Sequence, residues 1–251
     1  MNRRKKKRTL LGRLWRLVFI KLPLAFLTVT LLWVTVLKWC PVVVTPLMIS
    51  RSIEFRNDDS FRTHKHWRGY DRISPEMARA VIASEDDLFA THNGFNWKAI
   101  EKAWHNNKAG KKLRGGSTIS QQTAKNVFCS SKRSWVRKGF ESYFTVLIEF
   151  IWGKRRIMEV YLNVAEMGRG IYGAEAAARE LFGTTADKLS RQQSCLIAAC
   201  LPRPLKRNAA APSDYVIVRA NKIKAMEAHI AYPEWIYHKK TEEFSAKDRR
   251  K

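Results

Sequence analysis

The residues best equipped for chemistry are two acids and a set of amides and cations between them. Glu85 lies late in a segment that opens Ser74-Pro75-Glu76 and in which Met77, Val81, Ser84 and Leu88 trace one helical face. It stands one turn from Val81 and Ile82, at the border of the apolar face, where partial desolvation would raise a carboxyl pKa and suit it to proton transfer. A solvated acid near a helix end is the bland reading of the same stretch. Glu141 follows Arg137 by four residues and Lys138 by three, so all three share a helix face and the cations favour the ionised acid. An ordinary i,i+4 ion pair, worth about 0.3 kcal/mol, competes with that reading. One acid is thus expected to be desolvated and the other ion-paired, a contrast that acid-base work at a sugar centre requires.

Between them, Gly115-Gly116-Ser117-Thr118 opens a helix that continues Gln121, Gln122, Lys125, Asn126. Two glycines let backbone amides approach a ligand, and a helix N-terminus favours an anion. Thr118 and Gln121 also fit a capping box, a purely structural use of the same residues. The amides and the cation beyond them suit a phosphate or sugar site better than plain solvation. A further block, Lys154-Arg155-Arg156 with Glu159, Tyr161, Leu162, Asn163, Glu166 and Gly168, reads as structural on its own: Glu159 pairs with Arg155 or Arg156, and Asn163 ends a helix.

The elements that must carry these residues are mostly helices. Serine as N-cap, proline at the first position and an acid in the first turn start one at Ser74. Phe89, His92 and Gly94 form a turn, and Asn96 caps the next helix, expected over Trp97 to Asn106. Others are expected over Ser120 to Phe128, Trp135 to Trp152, Lys154 to Asn163, Ile171 to Phe182, Ser190 to Ala199 and Ser213 to Ala231. Val42 to Phe55 reads as a membrane-proximal strand or interfacial segment, and Arg56 to Arg72 as a linker. The expected class is all-α with one preceding transmembrane helix, divided into a basic arm (1–16), a membrane span (17–39), a linker (40–72), a catalytic domain (73–231) and a polar tail (232–251).

The net charge of +25 on 251 residues calls for an anionic partner. Arg3, Arg4, Lys5, Lys6, Lys7, Arg8, Arg13 and Arg16 precede the apolar run Leu17 to Trp39, in which Lys21 and Lys38 can snorkel. Such a cluster holds the N-terminus in the cytoplasm and sends the following domain outside. Small residues for signal cleavage are lacking after the run, which favours an uncleaved, single-pass anchor. Nucleic acid is thereby disfavoured, leaving lipid headgroups and a phosphorylated lipid. Cys40, Cys129, Cys195 and Cys200 show no metal spacing and read as buried small side chains, with a disulfide as the alternative.

In order, Glu85-Asp86-Asp87-Leu88-Phe89-Ala90-Thr91-His92-Asn93-Gly94-Phe95, then Gly115 to Gln122 extended through Lys125-Asn126, then Arg137-Lys138 through Glu141 to Glu149, then Arg156-Ile157-Met158-Glu159-Val160-Tyr161-Leu162-Asn163, and Gly173 to Gly183 closely resemble the peptidoglycan glycosyltransferase family in its monofunctional membrane-bound form. The match runs from about Ile73 to Pro212. Asn96 stands where the family commonly has aspartate and Thr145 where alanine is usual; neither change opposes activity.

The resemblance implies a lysozyme-like helical fold with a smaller membrane-proximal lobe, and polymerisation of lipid II into β-1,4-linked glycan with release of undecaprenyl pyrophosphate. It implies Glu85 as general base, Glu141 as the second catalytic acid, and Lys125, Arg137, Lys138, Ser117, Thr118, Gln121, Gln122, Asn126, His92 and Asn163 as substrate-binding residues. No cofactor is required; a divalent cation, Mg2+ or Mn2+, at Glu141 is compatible with it. The partners are lipid II, the nascent glycan and the inner membrane, with cell-wall synthesis or division proteins as further candidates. Neither Ser-x-x-Lys nor Lys-Thr-Gly occurs, and few residues follow the match, so transpeptidase activity is not expected. A muramidase and a non-catalytic scaffold are the rival readings, the first weakened by the cation-rich middle motifs.

Overall fold

The computed structural model describes residues 10–98, 100–101, 116–132 and 134–237. It divides into two compact units, residues 1–40 and 41–251.

In the first unit, α1 (Leu10–Arg16), a π-helical stretch (Leu17–Lys21) and α2 (Leu22–Leu37) run on as one helix. Pro23 supplies no N–H and its ring crowds the preceding turn, and the Leu22 amide bonds back to the Leu17 carbonyl, the register of a π-bulge. The helix spans 28 residues, about 42 Å at the usual rise, and its most apolar 18-residue stretch has a mean hydropathy of 2.2, the length and composition of a membrane anchor. Its threonines hide their hydroxyls by bonding back to the helix, Thr28 to the Leu24 carbonyl at 2.9 Å and Thr30 to that of Phe26 at 2.8 Å.

The second unit is predominantly helical. Its helices are α3 (Pro46–Glu54), α4 (Pro75–Glu85), α5 (Ile119–Phe128), α6 (Trp135–Ile151), α7 (Gly153–Val164), α8 (Ala174–Phe182), α9 (Arg191–Cys200) and α10 (Asp214–Met226). The buried α4 packs on α9 and α10, while α5 packs on α6 and α7. A small sheet, in the order β1 (His64–Lys65), β3 (Ile171–Tyr172), β2 (Glu166–Gly168), pairs β1 parallel and β2 antiparallel to β3.

Several sequence expectations change. The region from Pro41 to Arg72, expected as a linker, lies in the same compact unit as the residues that follow it. Thr45 caps α3 by accepting from the Met48 amide at 3.3 Å, with Pro46 at the first position, so of the strand and the interfacial segment expected over Val42 to Phe55 the strand does not form, and Pro46–Glu54 is a helix. Lys65 donates to the carbonyls of Val42 and Val43, and burial lowers its pKa to about 8. Ser74 occupies the N-cap of α4 without a side-chain capping bond, and α4 stops at Glu85 instead of continuing to Leu88. Ile171 and Tyr172 are strand, and α8 begins only after Gly173, whose φ of +84° favours glycine and whose added Cβ would lie 2.8 Å from the Asn163 carbonyl oxygen. Most of the helix expected at Trp97 to Asn106 lies outside the described residues, as do Gly115 and the end of the polar tail.

Glu175, only 1 % exposed, anchors the start of α8. Burial alone would raise its pKa, but hydrogen bonds from Arg68, the Ala186 amide and Arg179 prevail and hold it down at about 2. A depressed carboxyl pKa stabilises the fold above the unfolded-state value and loses that contribution as pH falls toward the folded-state value. Glu175→Gln is therefore expected to destabilise the domain by about 2 kcal/mol at neutral pH. The deficit should shrink as pH falls from about 4.5 to about 2. Urea unfolding across that range measures it, and a pH-independent deficit would contradict this assignment.

Candidate active site

The cleft is set by which faces α5 and α6 turn outward. Along α5, Gln122, Lys125, Asn126 and Cys129 recur at i, i+3, i+4 and i+7 and line a cleft of about 710 Å³, while Ile119, Thr123, Ala124 and Val127 fill the core. On α6, Arg137, Lys138 and Glu141 face the same cleft, and Phe144 and Ile148 face inward. Phe128 stacks on Phe144 with centroids 4.3 Å apart, holding the two helices in register.

The start of α5 is pinned from several sides. Thr118 accepts from the Gln121 amide at 3.1 Å while the Gln121 side chain accepts from the Thr118 amide at 3.1 Å, completing the capping box. The Thr118 hydroxyl donates to the Gly94 carbonyl at 2.7 Å. Asp86, buried just past α4, accepts from the Ile119 amide and from His92 Nε2, both at 2.9 Å. Because His92 Nδ1 accepts from the Gly94 amide at 3.1 Å, the Nε2 proton points at Asp86.

Glu85 ends α4 with 13 % of its side chain exposed. Gln122 Nε2 donates to one oxygen at 3.0 Å; the Ser84 hydroxyl lies 3.1 Å and Arg219 3.9 Å from the other. Glu85 therefore meets the cleft through Gln122, a wall residue. Glu141 is almost wholly buried, one oxygen 2.6 Å from Arg137 and the other 2.5 Å from Lys138. Both of its oxygens are thus engaged by cations, and no cluster of three metal-ligating side chains occurs among the described residues, so the surroundings of Glu141 do not fit a divalent cation.

Lys125 lies between the two acids. Burial depresses its pKa, Glu141 and Glu85 work against that effect, and Arg137 and Lys138 add to it. Among the described residues it has no carboxylate within ion-pair distance.

Of the expected site residues, Ser117, Gln122, Lys125, Asn126, Arg137, Lys138 and Glu141 gather at one cleft, with Glu85 bonded to it. Thr118, Gln121, His92 and Asn163 are occupied elsewhere: the first three position α5, and Asn163 exchanges hydrogen bonds with the Arg68 backbone at 2.7 and 2.8 Å. Sequence reasoning assigns no role to Asp86, reads Tyr161 and Glu166 as structural, and misses Arg51 and Glu54, although Tyr161, Arg51, Glu54 and Glu166 all line the cleft. Arg51 bridges Glu54 at 2.5 Å and Glu166 at 3.2 Å, and burial raises the Glu166 pKa against the pull of Arg51. Adjacency to Glu85 is a usable signal for Asp86; the others are brought in by long-range packing. None of Cys40, Cys129, Cys195 and Cys200 is in a disulfide; the first is exposed and the other three are buried.

An acid is thus joined to a cation-lined cleft by a helix-borne amide. The transglycosylase family model matches residues 54–227. A biosynthetic peptidoglycan transglycosylase of Bacteroides thetaiotaomicron is 56 % identical over 79 % of this chain and 80 % of its own length. Proteins of the same name from Caulobacter vibrioides and Pseudomonas putida are 51 % and 44 % identical, covering 84 % and 91 % of this chain and 90 % and 95 % of their own lengths. The chain belongs to the transglycosylase family.

Asp86→Ala would strip buried partners from the Ile119 amide and His92 and is expected to cost about 2 kcal/mol in denaturant unfolding. An unchanged midpoint would show that α5 is held without it.

Proposed function

We propose that the chain is a peptidoglycan glycosyltransferase that polymerises lipid II. Glu85 takes the proton from the 4-hydroxyl of the acceptor N-acetylglucosamine, whose oxygen attacks C1 of the donor N-acetylmuramic acid. The C1–oxygen bond to the pyrophosphate breaks with inversion, giving a β-1,4 link and undecaprenyl pyrophosphate. Lys125, Arg137 and Lys138 receive the charge developing on that leaving group. Glu141 holds Arg137 and Lys138 in place. Ser117, Gln122 and Asn126 contact substrate from the same wall.

The observation that carries this reading is Lys125, a desolvated cation with no ion-pair partner among the described residues. A buried cation left unpaired is costly, and a pyrophosphate relieves that cost. A muramidase-like hydrolase would need a second acid ready to protonate an alcohol leaving group. Glu141 bonded to two cations is poorly placed for that task. Peptidoglycan as the product follows the names of the similar proteins.

The N-terminal helix serves as a single-pass anchor, its preceding basic arm in the cytoplasm and the catalytic unit on the outer side of that membrane. Transpeptidation is no part of the proposed activity, since residues 1–251 contain neither Ser-x-x-Lys nor Lys-Thr-Gly. Its working domain comprises residues 41–237, extending the catalytic part past the boundary near Ile73 expected from sequence.

Incubating detergent-solubilised protein with labelled lipid-linked disaccharide-pentapeptide should yield lysozyme-sensitive polymer, and Glu85→Gln should yield none; polymer from the variant would remove Glu85 as base. Lys125→Met should cut kcat by about a hundredfold or more, as expected for losing leaving-group stabilisation. Because it deletes a half-buried charge that makes no ion pair among the described residues, the melting temperature should hold or rise. Loss of activity together with stability would assign Lys125 to the fold.

A further inference from the structure

The reading of Glu85 as a base requires that the folded site prefer its ionised form. The side chain that touches it most directly is the amide of Gln122, which has two ends of opposite character. One end donates and stabilises a carboxylate; the other accepts and stabilises a carboxylic acid. The orientation of one amide therefore biases the protonation of Glu85.

We propose that Tyr161 is a positioning residue for glycosyl transfer: by donating to Gln122 Oε1, it turns the amide nitrogen toward Glu85 and keeps that acid in its base form. The proposal rests on the reading of Glu85 as base. Tyr161 projects from α7, is 1 % exposed, and places its phenolic oxygen 3.3 Å from Gln122 Oε1, while Gln122 Nε2 lies 3.0 Å from Glu85 Oε2. Burial first, and the negative charges of Glu85 and Asp86 next, hold the phenol well above its usual pKa, so it remains a protonated donor. The Ser117 carbonyl, 3.5 Å from Gln122 Nε2, favours the same orientation. Reversing the amide would set its oxygen against Glu85, which is favourable only if Glu85 carries a proton. It would also take away the acceptor of the buried Tyr161 O–H, leaving that proton without the hydrogen bond it now makes. Tyrosine thus opposes the reversed state, and phenylalanine in its place would not.

The charged and titratable groups around Glu85 are Asp86 beside it, Lys125 from α5, Tyr161 from α7 and Arg219 from α10, with Arg137, Lys138 and Glu141 of α6 behind Lys125. From α9 comes the Ala198 carbonyl, reached through the Ser84 hydroxyl. Tyr161→Phe leaves every one of these charges in place and keeps the buried ring, so a displaced acid limb of the rate profile reports the amide.

The test is the pH dependence of kcat for polymer formation by the full-length enzyme, from about pH 5 to about pH 9, with Tyr161→Phe, Gln122→Met, their double variant and Glu85→Gln. In Tyr161→Phe the acid limb should move up by about one pH unit, a tenfold loss of rate on the acid side, while the alkaline plateau stays near wild type. Gln122→Met should move the limb in the same direction, and the double variant should move it no further than Gln122→Met alone. A limb that superimposes on wild type, or a loss uniform across pH, overturns the proposal. Should Tyr161→Phe fail to fold in a thermal melt, an unmoved limb in Gln122→Met overturns it instead. Polymerisation by Glu85→Gln would defeat the base assignment itself, an outcome distinct from a failure of Tyr161 to act.

Discussion

The buried carboxylate of Asp86 joins the end of one helix to the beginning of another, and the geometry of the cleft depends on that junction. It receives the first amide of α5 and the imidazole of His92, while His92 in turn receives the Gly94 amide. Three chain segments thereby meet on one side chain. Since α5 carries Gln122, Lys125 and Asn126 at helical spacing, fixing its first turn fixes the direction of each. Asp86 also immediately follows Glu85, so the acid and the amide that touches it are referred to the same anchor.

A second layer supports the first. Ser120 of α5 donates to Glu149 of α6, which also binds Lys154 at 2.7 Å, and the Lys154 ammonium lies 4.6 Å from the centre of the Phe89 ring. Gly94 fits beside Thr145 because it has no Cβ, which would sit 2.8 Å from the threonine methyl. This small residue and the ionic bridge let three helices approach closely beneath the cleft. The surface above them carries groups that do little for stability: a desolvated lysine and an acid held between two cations. Firm packing below and a desolvated cation above suit the anionic substrate of the proposed reaction.

What the sequence makes legible is local. The Thr118 and Gln121 capping box, the helix start at Ser190 and the shared face of Arg137, Lys138 and Glu141 all depend on residues within four positions of one another. The pairing of His64 with Ile171 has no such signal, because two-residue strands show no periodicity and their partners are set by packing. Helix α3 is obscured for a different reason: the β-branched run Val42-Val43-Val44 outweighs the Thr45-Pro46 start beside it. At the site, residue types suited to chemistry are partly structural. His92 and Thr118 look like ligand contacts in a motif, yet each spends its polar atoms on the fold.

That Lys125 lacks an ion-pair partner among the described residues also bears on the steps after bond formation. A cation that gains a partner when the pyrophosphate arrives loses one when it departs, so on the proposed chemistry the group that eases the transfer also slows the exit. Turnover would then be governed by the residence time of the spent carrier lipid rather than by the sugar transfer. Arg137 and Lys138, already neutralised in part by Glu141, retain an anion less strongly than two bare cations would. The buried acid would thus act as a brake on product retention, and the balance between it and Lys125 would set the tempo of the cycle.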